Sequence, residues 1–247
     1  RGARLIATDI REDNLSVLAD QAKKYDLPLT THVVDVTDPA SLERFVEQQY
    51  NKKLPIDIWV NNAGITDIKG FTEADPQIFD RVMAVNFDGV VNGCRTILPR
   101  MEDRGYGSIV NIASVAGHLA PPFMPAYAAS KHAVVGFTRS LRAELFLKKS
   151  PLKIILVSPG FVNTAILEKG EKHGFPDWLN WILSSPEHTA KEIAKAIAKG
   201  KDEVIPTLNG KFMMRVGNMA PKWTLKSSRL MLTKSFKDFV LNRYDLP

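Results

Sequence analysis

Cysteine is almost absent: Cys94 is the only one in 247 residues. An internal disulfide is therefore excluded, and no Cys/His ladder with zinc-site spacing occurs, so no metal is expected. No apolar run reaches the roughly 18 residues of a membrane-spanning helix. The first apolar run, Leu5-Ile6-Ala7, is too short for the core of a secretory signal and reads as a strand. Repeats, low-complexity tracts and linkers are missing too. Hydrophobic residues, at 45%, are plentiful, which rules out a disordered or fibrous chain. The length fits one large α/β domain or two small ones.

The net charge of +6 is local. Residues 211–247 carry eight Lys/Arg and two acids, and the remaining residues balance. A basic tail on a neutral body does not read as a nucleic-acid protein.

Hydrophobic period alternates between strand and helix. Strands are expected at 3–9, 30–36, 56–60, 108–114, 152–157 and 203–206. Helices are expected at 14–25, 40–50, about 76–104, about 127–148 and 187–199. Residues 161–186 read as irregular. This alternation predicts a doubly wound parallel sheet between two helical layers, with ligands outside the carboxyl ends of the strands. A domain over 1–207 and a basic amphipathic extension over 208–247 are expected.

Tyr127 and Lys131 lie four apart in Tyr-Ala-Ala-Ser-Lys, on one helix face. A neighbouring ammonium favours the phenolate, which would bring the tyrosine pKa down from near 10. The plain alternative is a tyrosine opening an amphipathic helix and a solvated lysine. Ser114 ends a strand, where its hydroxyl can face a substrate oxygen while Tyr127 moves the proton. In Asn61-Asn62-Ala63-Gly64, glycine admits a ligand close to the backbone, and the asparagines can bridge strand ends. Asn86 stands in a helix despite poor propensity and can hold a water near Lys131. Pro159-Gly160-Phe161-Val162-Asn163-Thr164 offers another close approach and a hydroxyl. Each has a structural alternative: a simple turn, a surface asparagine, a serine that merely ends a strand.

Together and in this order, these motifs resemble the short-chain dehydrogenase/reductase family over about residues 1–207. Ser-Leu-Arg-Ala-Glu-Leu at 140–145 looks like the family's continuation of the catalytic helix. The resemblance implies an NAD(P)-dependent oxidoreductase. Tyr127 is then the acid/base; Lys131 lowers its pKa and holds the nicotinamide ribose. Ser114 orients the substrate, and Asn86 supports a proton-relay water. Asp35 and Val36 lie toward the adenine, and Asn62, Ala63 and Gly64 line the cofactor. Pro159, Gly160 and Val162 are on the cofactor side as well, and Thr164 with the backbone near Phe161 holds the carboxamide. The two long helices would join a homodimer or homotetramer.

The family opens with a strand and a glycine-rich turn ahead of the ribose-binding acid. Asp9 looks like that acid, yet no Gly-x-x-x-Gly-x-Gly precedes it. Roughly 25 to 35 residues are expected there, so the chain reads as starting inside a domain, with a central strand left out. Asp9 favours NAD, because it accepts bonds from both ribose hydroxyls and repels a 2′-phosphate. Arg11 keeps NADP open. Asp9 can equally cap the next helix.

Ile166, Leu167, Phe175, Trp178, Trp181 and Ile182 suggest a lid over an apolar ligand, or aromatics packed on the protein itself. His118, Phe161, Trp178 and Trp181 are the substrate candidates, for a bulky or lipid-like secondary alcohol or ketone. Leu232, Phe236, Phe239, Val240 and Arg243 follow helical spacing. Packing on the body, a dimer or gate element, and contact with an anionic membrane surface all fit that tail. A cytoplasmic protein is expected, with membrane association as one reading of the tail. The rival function is a non-catalytic nucleotide-binding regulator or scaffold on the same fold.

Overall fold

The computed structural model describes residues 2–72, 74–163 and 183–219. Strands β1 (Leu5–Asp9) and β2 (Leu29–Val33) pair in parallel around helix α1 (Glu12–Lys24). Helix α2 (Pro39–Asn51) starts where the Asp38 carboxylate accepts from the Ala40 N–H and Pro39 supplies a preset φ. Strand β3 (Ile58–Asn61), helix α3 (Pro76–Met83) and helix α4 (Gly89–Arg104) follow. Then come β4 (Ser108–Ile112), α5 (Pro125–Leu147), β5 (Lys153–Val157), α6 (Pro186–Ala198), the two-residue β6 (Glu203–Val204) and α7 (Leu208–Met219). β3, β4, β5 and β6 are neighbours in that order, all parallel.

Alternation in β4 and β5 sends side chains to two cores. Ile109, Ile154 and Leu156 join Val46, Cys94, Ile97, Met101 and Val134 from α2, α4 and α5. Val110, Ile155 and Val157 face Ile193 and Ile197 of α6. The expected α/β architecture with helices on both faces is present.

Three features differ from the expectation. The helix expected over 76–104 is interrupted by a π-helical turn at Ala84–Asp88, whose extra residue turns Asn86 into the interior. Helix α7 was not legible in the basic tail; the apolar stripe expected at 232–243 lies outside the described residues. The strands form two sheets, with no pairing between β1 and β3. Leu5, Val33, Ile58 and Val60 are correspondingly exposed. The two sheets share one core through Val34, Phe45 and Trp59, with the Phe45 and Trp59 rings 6.3 Å apart.

Candidate active site

The carboxyl ends of β3 and β4 are locked together before any catalytic group is placed. Asn61 Nδ2 donates to Asn111 Oδ1 at 2.8 Å, and Asn111 Nδ2 donates to Thr138 Oγ1 at 3.0 Å. The Trp59 indole N–H donates to Asn61 Oδ1 at 2.6 Å. A Cβ on Gly93 would stand 2.1 Å from Asn61 Oδ1, so α4 can lie this close only with glycine there. Asn61 thus bridges strand ends as expected. Asn111 and Thr138 were not anticipated, because a polar residue within an apolar strand or helix gives no local sign of its partner.

Four further side chains converge above these ends. Asn86, fully buried, donates from Nδ2 to Ile65 O at 2.9 Å and to Ser130 Oγ at 3.0 Å, while its Oδ1 accepts from the Ile65 N–H at 2.8 Å. Lys131 is 4% exposed and donates to Ile112 O at 2.9 Å. Among the described residues no other partner stands within hydrogen-bonding distance of its Nζ. A Cβ on Gly64 would meet Asn86 Oδ1 at 3.4 Å and Lys131 Nζ at 3.6 Å, so these groups share one small space. Lys131 Nζ sits 5.7 Å from the Tyr127 ring centroid. Ser114 lies two residues past the end of β4 and caps a 3-10 turn, Val115–Gly117, by accepting from the Ala116 N–H at 3.1 Å. Its hydroxyl also reaches Pro159 O at 3.5 Å.

Burial sets the protonation states. It brings the Lys131 amine down to about 8. It raises the Tyr127 phenol, and the hydrogen bond with Ser114 only partly offsets this. The sequence had suggested a tyrosine lowered by its lysine. Here desolvation outweighs any such effect, and the phenol is held neutral.

The cofactor-side candidates are spread along the strand ends. The Asp9 carboxylate accepts from the Arg11 N–H at 2.8 Å and from Asn14 Nδ2 at 3.1 Å. The bond to Arg11 makes a local turn at the mouth of α1. The Arg11 guanidinium is engaged with Asp13 on the surface. Asp35 accepts from both the Thr37 N–H at 2.8 Å and its hydroxyl at 2.7 Å. Val36 packs under the start of α4, where a Cβ on Gly89 would come 2.8 Å from its Cγ2, and its carbonyl accepts from Asn92 at 3.1 Å. Asn62 and Ala63 are exposed. Pro159, Gly160 and Phe161 follow β5, and Val162 bridges to Ser184. Thr164, Trp178 and Trp181 lie outside the described residues.

His118 faces elsewhere. Its Nε2 lies 3.0 Å from Ser158 Oγ, in a cavity of about 290 Å³ lined also by Arg139, Glu203, Lys211 and Met214. Neither Tyr127 nor Ser114 lines that cavity. Burial lowers the His118 pKa, helped by Arg139, whose guanidinium is fastened to Glu203 at 2.8 and 2.9 Å.

Residues 1–173 match the family model for short chain dehydrogenase. The chain is 31% identical over 215 residues to dehydrogenase/reductase SDR family member 7B of Bos taurus, covering 83% of this chain and 66% of that one. It is 36% identical over 168 residues to a 3-oxoacyl-[acyl-carrier-protein] reductase of Thermotoga maritima, covering 68% of each. A short chain dehydrogenase/reductase from Burkholderia phymatum in complex with NAD superposes with a TM-score of 0.78 at 24% identity, over 90% of this chain and 86% of that one. A gluconate 5-dehydrogenase from Burkholderia cenocepacia, in complex with NADP and tartrate, gives a TM-score of 0.66 at 28% identity, over 74% of each chain. No helix among the described residues is long and apolar enough to cross a membrane, and no group of three potential metal ligands is found among them. The motif order, the parallel α/β frame and the family match agree: this chain belongs to the short chain dehydrogenase family, and with it to the NAD(P)-dependent oxidoreductases.

Proposed function

We propose that this chain interconverts a secondary alcohol and a ketone, with Tyr127 as the proton donor and acceptor. The observation that carries the reading is the convergence of a half-buried Tyr127 with the buried Ser114, Lys131 and Asn86 at the carboxyl ends of β3 and β4. A binding-only scaffold has no chemical use for a desolvated lysine beside a tyrosine.

The residues present fit the nicotinamide half of the cofactor. Lys131 spends one of its three donors on Ile112 O, which leaves capacity for ribose hydroxyls. Gly64 leaves bare the space beside that amine. Asp9 sits at the end of β1 with a carboxylate suited to the adenine ribose. When bound, the cofactor supplies or accepts the hydride. Asp9 and the occupied Arg11 support NAD over NADP: the carboxylate repels a 2′-phosphate, and the guanidinium is already held by Asp13.

The chain's own groups do the rest. Ser114 donates to the substrate oxygen and fixes its direction. Tyr127, kept neutral by burial, is in the form that delivers a proton to that oxygen during reduction. Lys131, charged below about pH 8, favours the phenolate left behind. The Asn86 side chain holds the Ile65 backbone, and with it the loop after Gly64. The apolar, aromatic content of 166–182 supports a bulky or lipid-like substrate, and α4 and α5 support joining of copies into a dimer or tetramer.

The test follows NADH absorbance with a panel of secondary alcohols and ketones. Tyr127→Phe is expected to lower kcat by about 10²–10⁴-fold and to leave the NADH Kd within about threefold. Activity within about threefold of wild type removes Tyr127 from the proton transfer.

A further inference from the structure

We propose that Thr207 and Asn209, at the start of α7, are positioning residues that hold the Pro159–Gly160–Phe161 loop in the shape the cofactor needs. The proposal rests on the reading above, in which that loop borders the nicotinamide.

Thr207 is fully buried. Its Oγ1 accepts from the Gly160 N–H at 2.9 Å and from the Gly210 N–H at 3.2 Å. One oxygen therefore caps the first turn of α7 and ties the loop to it. Two residues on, Asn209 Nδ2 donates to Phe161 O at 2.8 Å. The loop is gripped at a donor and at an acceptor by residues of one turn at the helix start.

Packing makes the same link. A Cβ on Gly160 would stand 2.1 Å from Asn209 Oδ1 and 2.7 Å from the Gly210 nitrogen. The bare face of Gly160, expected to admit a ligand, is filled by α7. A Cβ on Gly210 would in turn lie 2.6 Å from Thr207 Oγ1 and 3.0 Å from the Gly160 nitrogen. Glycine faces glycine, and the two backbones touch.

The other side of the loop is tied to catalysis. Pro159 O accepts from the Val115 N–H at 2.8 Å and from Ser114 Oγ at 3.5 Å. Farther along α7, a Cβ on Gly217 would come 2.3 Å from Leu119 Cδ2, just past the Ser114 turn. Helix α7 thus touches both loops that border the proposed site. Tyr127 and Lys131 stand on α5, and Lys131 is held by Ile112 O of β4. Thr207 and Asn209 grip Gly160 and Phe161, whereas Val115 and Ser114 hold Pro159 from the other side, so loosening the latch should weaken cofactor binding more than proton transfer.

The experiment compares wild type with Thr207→Val, Thr207→Ser and Asn209→Ala. Hydrogen exchange is read by mass spectrometry over peptides covering 158–163, and steady-state kinetics are run with NADH as the varied substrate. Removing either bond is expected to speed exchange over 158–163 and to raise the NADH KM about two- to tenfold, the equivalent of one hydrogen bond. The expected kcat stays within about twofold, and Thr207→Ser restores wild-type behaviour because it keeps the acceptor. Unchanged exchange over 158–163 in both Thr207→Val and Asn209→Ala overturns the proposal. So does a fall in kcat at constant KM. If Thr207→Val does not fold, Asn209→Ala and Thr207→Ser decide alone. A wild-type chain that binds no NADH overturns the function proposed above, and the exchange data then still decide the latch.

Discussion

Lys131 carries opposing demands within a single side chain. Burial makes its charge costly, yet the proposed chemistry uses that charge. Its folded pKa of about 8 lies below the ordinary 10.5, so between these values the unfolded chain binds more protons. Stability should therefore rise with pH from about 8 to about 10.5, and the full burial cost stands below pH 8. Lys131→Met is expected to be more stable than wild type at pH 7, by on the order of 3 kcal/mol, with the gap narrowing by pH 9.5 in urea unfolding. NADH affinity should move the other way, weakening in wild type as pH passes about 8. The Met variant should start weaker and show no such step. Asp9 is the second residue whose role divides cleanly. Its carboxylate serves the Arg11 N–H and Asn14 here, and facing ribose hydroxyls it gains charge-assisted bonds worth about 1.5–3 kcal/mol each. Asp9→Ser is expected to shift the kcat/KM ratio of NAD to NADP by at least about tenfold toward NADP. An unchanged ratio would leave Asp9 with only its turn.

At the scale of elements, the site is held by short, irregular pieces on a regular frame. The 3-10 turn after Ser114 lies against the backbone of α5: a Cβ on Gly117 would stand 2.5 Å from Lys131 O and 2.8 Å from its carbonyl carbon. Backbone cannot swing aside as a flexible side chain can. Gly117→Ala should therefore push Ser114 away from Tyr127, costing about 1–3 kcal/mol in urea unfolding and lowering kcat as well. A variant with wild-type stability and kcat would show that turn and helix are not coupled. These pieces also mark how far the sequence could be read. Alternating periods located every strand and most helices among the described residues, since those patterns are local. The Tyr127–Lys131 face, Ser114 and Asn86 were legible as a set. The π turn that aims Asn86 inward was not, because 76–104 has unbroken helical spacing. The Asn61–Asn111–Thr138 chain was hidden too, since its members lie far apart in sequence and meet only across the sheet. Gly160 was legible as a close approach, but the approaching group proved to be α7.

Across the whole molecule, the most consequential feature is the break between β1 and β3. Trp59 of β3 points into the shared core, so Ile58 and Val60 must point to the other face. Helix α6 covers that face under β4 and β5 and leaves β3 bare. Ile58 and Val60 are accordingly 50% and 47% exposed, on a strand that pairs on one side only among the described residues. Apolar side chains next to an open edge attract apolar ligands and further strands. The 247-residue chain should therefore bind an apolar fluorescent dye under native conditions and associate as its concentration rises. Replacing Ile58 and Val60 together by threonine keeps strand propensity and removes the exposed apolar side chains of β3. The double variant is expected to lose about half the dye signal or more and to sediment closer to a single copy, while the intrinsic tryptophan emission stays as in wild type. Equal dye binding and equal association in the two proteins would mean that the face of β3 is covered in solution, and that the two sheets are closed by contacts these residues do not make.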